Sequence, residues 1–281
     1  MKSLKLISFI IALLVSLSTF SQKGEKFKLS DKLREISGLE LLNDSTFVAL
    51  NDGGNKAELF LLNLKGKIIK KIEVEGVSNK DWEDLASDKK YIYISDLGNN
   101  LNSRKKLAIY KVKKSDLLKK KSVNASKISL KYKDQKDFPP KEKKRFYDCE
   151  AIAVYNDSIW IFTKNRSKPS TGTTRVYKCP KKPGKYTLKK DHEVYIGKGG
   201  FWKDVITAAD IYKDKFYLMT YNRLIIMTLK NGHLIKEKTV PFGLLTQKES
   251  LVVKSANEIY IADEVQKILG GGKLYKINPN K

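Results

Sequence analysis

The chain predicts an all-β fold, and three features of its 281 residues carry that reading. Short segments alternate apolar and polar side chains and are rich in Ile, Tyr, Val and Phe. Turns of Gly, Asn, Asp and Lys separate them, and the same segment pattern returns five times. Helical spacing is confined to a weak patch at SDLLKKK.

Aligned on Leu39, Leu85, Ile152, Ile211 and Leu251, the first segments read EISGLELL, DWEDLASD, DCEAIAVY, TAADIYKD and QKESLVVK. The second read FVALND, IYISDLGNN, IWIFTKN, FYLMTYN and IYIADE, and the third AELFLLNLKG, KKLAIYKVKK, TTRVYKCPKK, NRLIIMTLKNG and GGKLYKINPN. Four repeats add a fourth: GKIIKKIEV, SKISLKYKD, KYTLKKDHEVYIG and HLIKEKTVPF. Units of four short strands, none able to bury its own faces, predict the blades of a five-bladed β-propeller. The fifth repeat ends before a fourth strand, and GEKFKLSD near the N-terminus supplies one, closing the ring and removing an open edge. Six blades are the alternative, with a degenerate one hidden between Ser126 and Arg145. Its tip, KDFPPKEKK, reads instead as a protruding loop, because two prolines suit no central strand.

Residues 1–21 read as a signal peptide: Lys2 and Lys5 precede an apolar run from Leu6 to Val15, and small residues surround Ser21. That run is shorter than the roughly 20 residues of a membrane span. Residues 22–281 are then one propeller domain, expected to be periplasmic or secreted, monomeric and without a membrane span. No sorting segment follows INPNK, which favours the periplasm. The net charge is +25, nearly all of it lysine dispersed along the chain. Such dispersal predicts a solvated surface and no specific nucleic-acid partner, since phosphate readers concentrate Arg and Lys on one face. Cys149 and Cys179 are expected to be free thiols.

In a propeller the first strand of each blade lines the central channel, so the repeat starts and the ends of the second strands meet at one mouth. The starts bring Glu35, Ser37, Asp81, Glu83, Asp84, Asp148, Glu150, Asp210 and Glu249. The ends bring Asn51, Asp52, Asp96, Asn99, Asn100, Lys164, Tyr221, Asp263 and Glu264. Like charges about 4 Å apart cost about 1 kcal/mol in water and about 4 at an effective dielectric of 20. One aligned cation, Lys164, cannot balance them, leaving a bound metal or protonated acids. The donors are all oxygens, which suits calcium; His192 and His233 fall outside the aligned positions, which disfavours zinc and histidine-based nucleophilic catalysis.

Glu83, Glu150 and Glu249 are the candidate catalytic or metal-binding carboxylates, with Lys164 as a substrate contact or a structural ion pair. Glu35, Asp81 and Asp148 read as acceptors of backbone N–H groups. Trp82 is either packing between blades or a substrate platform, and Tyr221 a channel plug or a proton donor.

EISGL, NDGGN, DWEDLA, SDLGNN, DCEAIA with FTKN, LMTYN, and QKES with IADE resemble a group of exported bacterial propellers without an assigned activity. More distantly the pattern is similar to the calcium-activated nucleotidase (apyrase) family, five-bladed propellers holding one calcium in the channel. That resemblance implies Ser37, Glu83, Glu150 and Glu264 as calcium ligands. Glu249 stands where the family has a small hydroxyl residue, and Asp210 could substitute for the missing ligand at Ala209. The family's arginines after the second strands are replaced by NDGGN and FTKN, which weakens the argument for nucleotide specificity. The expected function is a calcium-dependent hydrolase of a small anionic ester or phosphoester. The alternative is a non-enzymatic module, locked by metal or ion pairs, that binds a partner or glycan.

Overall fold

The computed structural model describes residues 24–243 and 245–281, so the expected signal peptide lies outside the described residues. Its strands form five sheets arranged as a β-propeller. Blade one is β2 (Ile36–Asn43), β3 (Thr46–Asn51), β4 (Glu58–Asn63) and β5 (Ile68–Glu75). Blade two is β6 (Asp84–Ser87), β7 (Tyr91–Asp96), β8 (Leu107–Lys113) and β10 (Ser126–Tyr132). Blade three is β11 (Asp148–Tyr155), β12 (Ser158–Lys164), β13 (Thr173–Pro180) and β15 (Lys190–Tyr195). Blade four is β16 (Ala208–Tyr212), β17 (Lys215–Thr220), β18 (Arg223–Lys230) and β19 (His233–Pro241). Blade five is β20 (Lys248–Ser255), β21 (Glu258–Asp263), β22 (Lys273–Ile277) and the N-terminal β1 (Glu25–Lys28).

Ring closure is therefore antiparallel, with Glu25 opposite Lys276 and Lys28 opposite Lys273. Two further strands cross between blades. β9 (Ser122–Asn124), after the short helix α1 (Lys114–Lys119), pairs in parallel with β5 of the first blade. β14 (Gly184–Leu188) pairs in parallel with β10 of the second. The stretch KYTLKKDHEVYIG thus serves two blades, its first half capping blade two and its second half, β15, completing blade three. Each crossing strand covers an edge that would otherwise be open.

Between Ser126 and Arg145 only β10 and a 3₁₀ turn at Glu142–Lys144 form, so the insertion adds a loop and not a sixth blade. Both faces of the second strands are buried, which is why IYIS, IWIF and IYIA read as continuous apolar runs. Blade faces lock through large side chains, as where Phe47 meets Tyr260 edge-on with centroids 4.8 Å apart, a contact of about 0.5–1.5 kcal/mol beyond burial. Cys149 and Cys179 are free and buried in the core that also holds Tyr132 and Tyr177. Fully buried Trp82 packs against Tyr110, as an inter-blade filler.

Candidate active site at the channel mouth

The strand pairing explains how acids separated in sequence reach one place. Register shifts between Ile36 and Gly38, Cys149 and Ala151, and Lys248 and Ser250 leave Ser37, Glu150 and Glu249 as extra residues in β2, β11 and β20. Such bulges re-aim a side chain. Glu83 lies just before β6, its N–H donating to the Ser95 carbonyl at 2.9 Å. All four are buried.

Blades three, four and five supply one half of the mouth. Lys164, 3 % exposed, donates to Glu150 Oε2 at 2.8 Å and stands 3.5 Å from Glu249 Oε1. Arg166 contacts Asp148 Oδ2 at 2.5 Å and Glu150 Oε1 at 3.0 Å, so Glu150 has a cation on each oxygen. Burial opposes its ionisation, yet Lys164 and Arg166 hold Glu150 below the usual carboxylate range. Asp148, pressed by burial and by Glu150, is pushed up to about 7 despite Arg166. Glu249 Oε1 accepts from the Tyr221 hydroxyl at 3.0 Å and from Gln247 Nε2 at 3.1 Å. Tyr221 lies beneath half-exposed Trp202, with centroids 5.7 Å apart, and Lys164 sits 5.2 Å from the Tyr221 ring. Trp202 comes from the single-turn helix α2 (Phe201–Asp204) that leads into blade four.

The other half draws on blades one, two and five. Oxygens of Asp52, Asp81 and Glu83 lie within 4.8 Å of one another, as do those of Glu83, Asp148 and Glu150. Burial, then Glu150, Asp52 and other acids, raises Glu83 well above its ordinary range. Asp52 is pushed to about 8 by burial and by Glu150, Glu249 and Asp81, against a hydrogen bond from the Gly53 N–H. Glu264 is raised to about 9 by burial, Glu249 and Asp52, although Gln266 Nε2 donates to it at 3.2 Å. Ser37 Oγ donates to the Glu83 carbonyl at 2.5 Å and lies 3.4 Å from its Oε2. Arg104 is the cation on this side, and it serves Asp96 at 2.7 Å before Asp81 at 3.6 Å.

Two glycines clear the space beside these acids. A Cβ on Gly98 would overlap Glu83 Oε1 and lie 2.6 Å from Asp81 Cγ, and one on Gly53 would lie 2.6 Å from Asp81 Oδ1. The glycines of NDGGN and DLGNN thus let loop backbone approach the carboxylates.

Ser37, Glu83, Glu150, Glu249, Glu264, Lys164 and Tyr221 are brought together as the alignment expects. Asp210 is not. β16 pairs with β17 without a register shift, and the Asp210 carboxylate accepts backbone N–H groups of Ile211 and Val253, both at 2.6 Å. Asp84 likewise spans blades by accepting from Leu85 and Ile152, each at 2.8 Å. Asp263 is occupied by Thr246, Lys273 N–H and Tyr275. Of the expected backbone acceptors, Asp148 takes the Asn99 N–H at 2.6 Å, whereas Glu35 takes an Asn55 side-chain N–H at 2.6 Å. Arg166 was not singled out by the alignment; its signal is its place just past FTKN, where the chain leaving β12 still faces the mouth.

No protein-family model and no curated protein matches the chain. Among solved structures it is similar to the glutaminyl cyclase of Myxococcus xanthus, with 10 % identity, a TM-score of 0.56, and coverage of 90 % of this chain and 94 % of that one. It is also similar to the PQQ-bound aldose sugar dehydrogenase of Streptomyces coelicolor, with 10 % identity, a TM-score of 0.51, and coverage of 92 % and 98 %. At such identities the likeness concerns fold, and it supports a β-propeller.

Proposed function

We propose that the mouth is the active site of a calcium-dependent hydrolase acting on a small anionic ester or phosphoester. The observation that carries this reading is the set of Asp52, Asp81 and Glu83 oxygens within 4.8 Å of one another, in space kept open by Gly53 and Gly98. Oxygens bound to one calcium at about 2.3–2.6 Å are separated by at most about 5 Å, so the three carboxylates suit one ion, with Ser37 beside them. A set of oxygens alone favours this hard cation over zinc or copper.

Calcium there would polarise a substrate oxygen and acidify a bound water. The chain's own groups do the rest. Glu249, fed hydrogen bonds by Tyr221 and Gln247, is the general base; Glu150 stays ionised between Lys164 and Arg166 and keeps both cations in place. Lys164, paired with two acids, orders these carboxylates more than it attracts an anion, so a bound calcium would have to meet the substrate's charge.

Assays of the purified protein against aryl phosphates, aryl esters, lactones and nucleotides, with calcium and with chelator, test this. Calcium-dependent turnover that falls at least about a hundredfold in Glu249→Gln supports it; no turnover on any substrate removes it. The full pairing of Lys164 favours a second reading, in which the ion and the ion pairs only lock the blades. That reading requires stabilisation by calcium with no turnover.

A further inference from the structure

The chain has two histidines, and the fold brings them together from different blades. His192 lies on β15, the outermost strand of blade three, and His233 opens β19, the outermost strand of blade four. Their ring centroids are 5.4 Å apart and the rings are inclined at 74°. The His192 side chain is 6 % exposed, and its Nδ1 bonds Asp191 Oδ2 at 2.7 Å; Asp191 also receives Lys178 at 2.9 Å. A neutral imidazole facing a carboxylate keeps its proton on Nδ1, which leaves a lone pair on Nε2. That buried Nε2 has no partner among the described residues, an arrangement that folding alone disfavours.

We infer that His192 and His233 bind a divalent first-row transition ion of the copper, nickel or zinc class, apart from the acidic mouth. An ion with tetrahedral angles and metal–nitrogen bonds of about 2.0–2.1 Å holds two imidazole centres about 5.2 Å apart, close to the spacing found here. The Asp191 contact is the usual outer support of a metal-bound histidine: it fixes the tautomer and raises ligand basicity. Edge-to-face packing of the rings explains their spacing but leaves Nε2 without a partner.

The position also suits a staple. β9 and β14 stitch the first three blades and β1 closes the fifth, whereas no strand among the described residues crosses from blade three to blade four. An ion on these two histidines would join the outer strands of that junction.

The test is calorimetric titration of the full chain with zinc, nickel and copper, in excess calcium to saturate the mouth. Copper binding is followed in parallel by electron paramagnetic resonance for nitrogen coupling. One equivalent should bind, with copper tightest and a Kd in the range of about 1–10 µM. His233→Ala, at an exposed position, should weaken binding at least about tenfold without changing the melting temperature in chelator, and Asp191→Asn should weaken it about 10–100-fold. Glu83→Gln should leave it unchanged. Binding as tight in His233→Ala as in the parent would overturn the inference, as would a Kd above about 1 mM for all three ions. His192→Ala is less decisive, because it also removes a buried ring.

Discussion

The two halves of the channel mouth solve the same electrostatic problem differently. On the side of blades three to five, carboxylates meet fixed cations: Lys164 between Glu150 and Glu249, and Arg166 between Asp148 and Glu150. On the side of blades one, two and five, Asp52, Glu83 and Glu264 meet other acids, and burial, with repulsion from Glu150 or Glu249 across the mouth and from Asp52 and Asp81 beside them, raises all three. One half carries its counter-charges covalently; in the other, under the function proposed above, a bound ion would supply one. The repeat supplies the same positions to both; what differs is whether a second strand ends in Lys164 or in the Asn51–Asp52 pair.

Removing a fixed cation should have the largest effect. Lys164→Met leaves Glu150 and Glu249 buried without their shared partner, and breaking a buried pair this way costs about 3–5 kcal/mol. Urea unfolding should show that loss with and without calcium. A loss that calcium repaired would mean that the halves are interchangeable, and the contrast would fail.

Calcium itself comes next. At about 100 times its Kd, an ion bound only by the folded chain stabilises by about 2.7 kcal/mol. Thermal melts in calcium and in chelator should differ accordingly, and Glu83→Gln or Asp52→Asn should abolish the difference. A calcium shift that persists in both variants would place the ion outside the uncompensated half.

A third group of buried acids, deeper in the channel, asks whether a raised carboxylate always signals a missing ion. Glu40 is pushed up to about 8 by burial and Asp210, even though Lys114 lowers it; Lys114 itself bonds the Leu41 carbonyl and Ser87. Asp84 and Asp210, also raised, face the same region and are satisfied by backbone N–H groups. A carboxyl raised on folding contributes its stability fully below the ordinary value of 4.5, and that contribution is lost as pH rises through about 8. Glu40→Gln, with no proton to lose, should match the parent near pH 4 and exceed it by up to about 4 kcal/mol near pH 8, whether or not calcium is present. Equal stabilities at both pH values would show that Glu40 is not strained by ionisation.

Much of this was legible in the sequence because blades repeat. Ser37, Glu83, Glu150 and Glu249 share one place relative to the aligned apolar residue, so alignment alone put them at one mouth. Alignment could not show the bulges. An extra residue in β2, β11 and β20 turns Ser37, Glu150 and Glu249 inward, whereas Asp210 stands one residue later, beside Ala209, and like Asp84 at the same place in blade two bonds backbone N–H groups of its own and the next blade. Contacts set by loop paths and blade junctions were equally hidden. Arg166 reaches Asp148 only through the turn after β12, and the two histidines meet only when blades three and four pack. The double use of KYTLKKDHEVYIG was illegible for a related reason: its alternation fits a strand in either blade, and parallel pairing across a junction leaves no separate mark on periodicity.

The smallest expected effect tests the open half most directly. Gly98 does not have a left-handed backbone, so alanine there imposes no conformational strain; its methyl group would instead occupy the space of Glu83 Oε1 and crowd Asp81. The Glu83 carboxylate can swing aside at little cost to folding, but it would then leave the position it shares with Asp52 and Asp81. Gly98→Ala should therefore melt within about 2 °C of the parent in chelator while losing about tenfold in calcium affinity, equivalent to about 1.4 kcal/mol. Because the ion pairs of Lys164 and Arg166 are with Asp148, Glu150 and Glu249, the compensated half should keep them, and Glu249→Gln should destabilise the parent and Gly98→Ala equally. Unchanged calcium binding in Gly98→Ala would mean that the cleared space beside Glu83 serves the loop and not an ion.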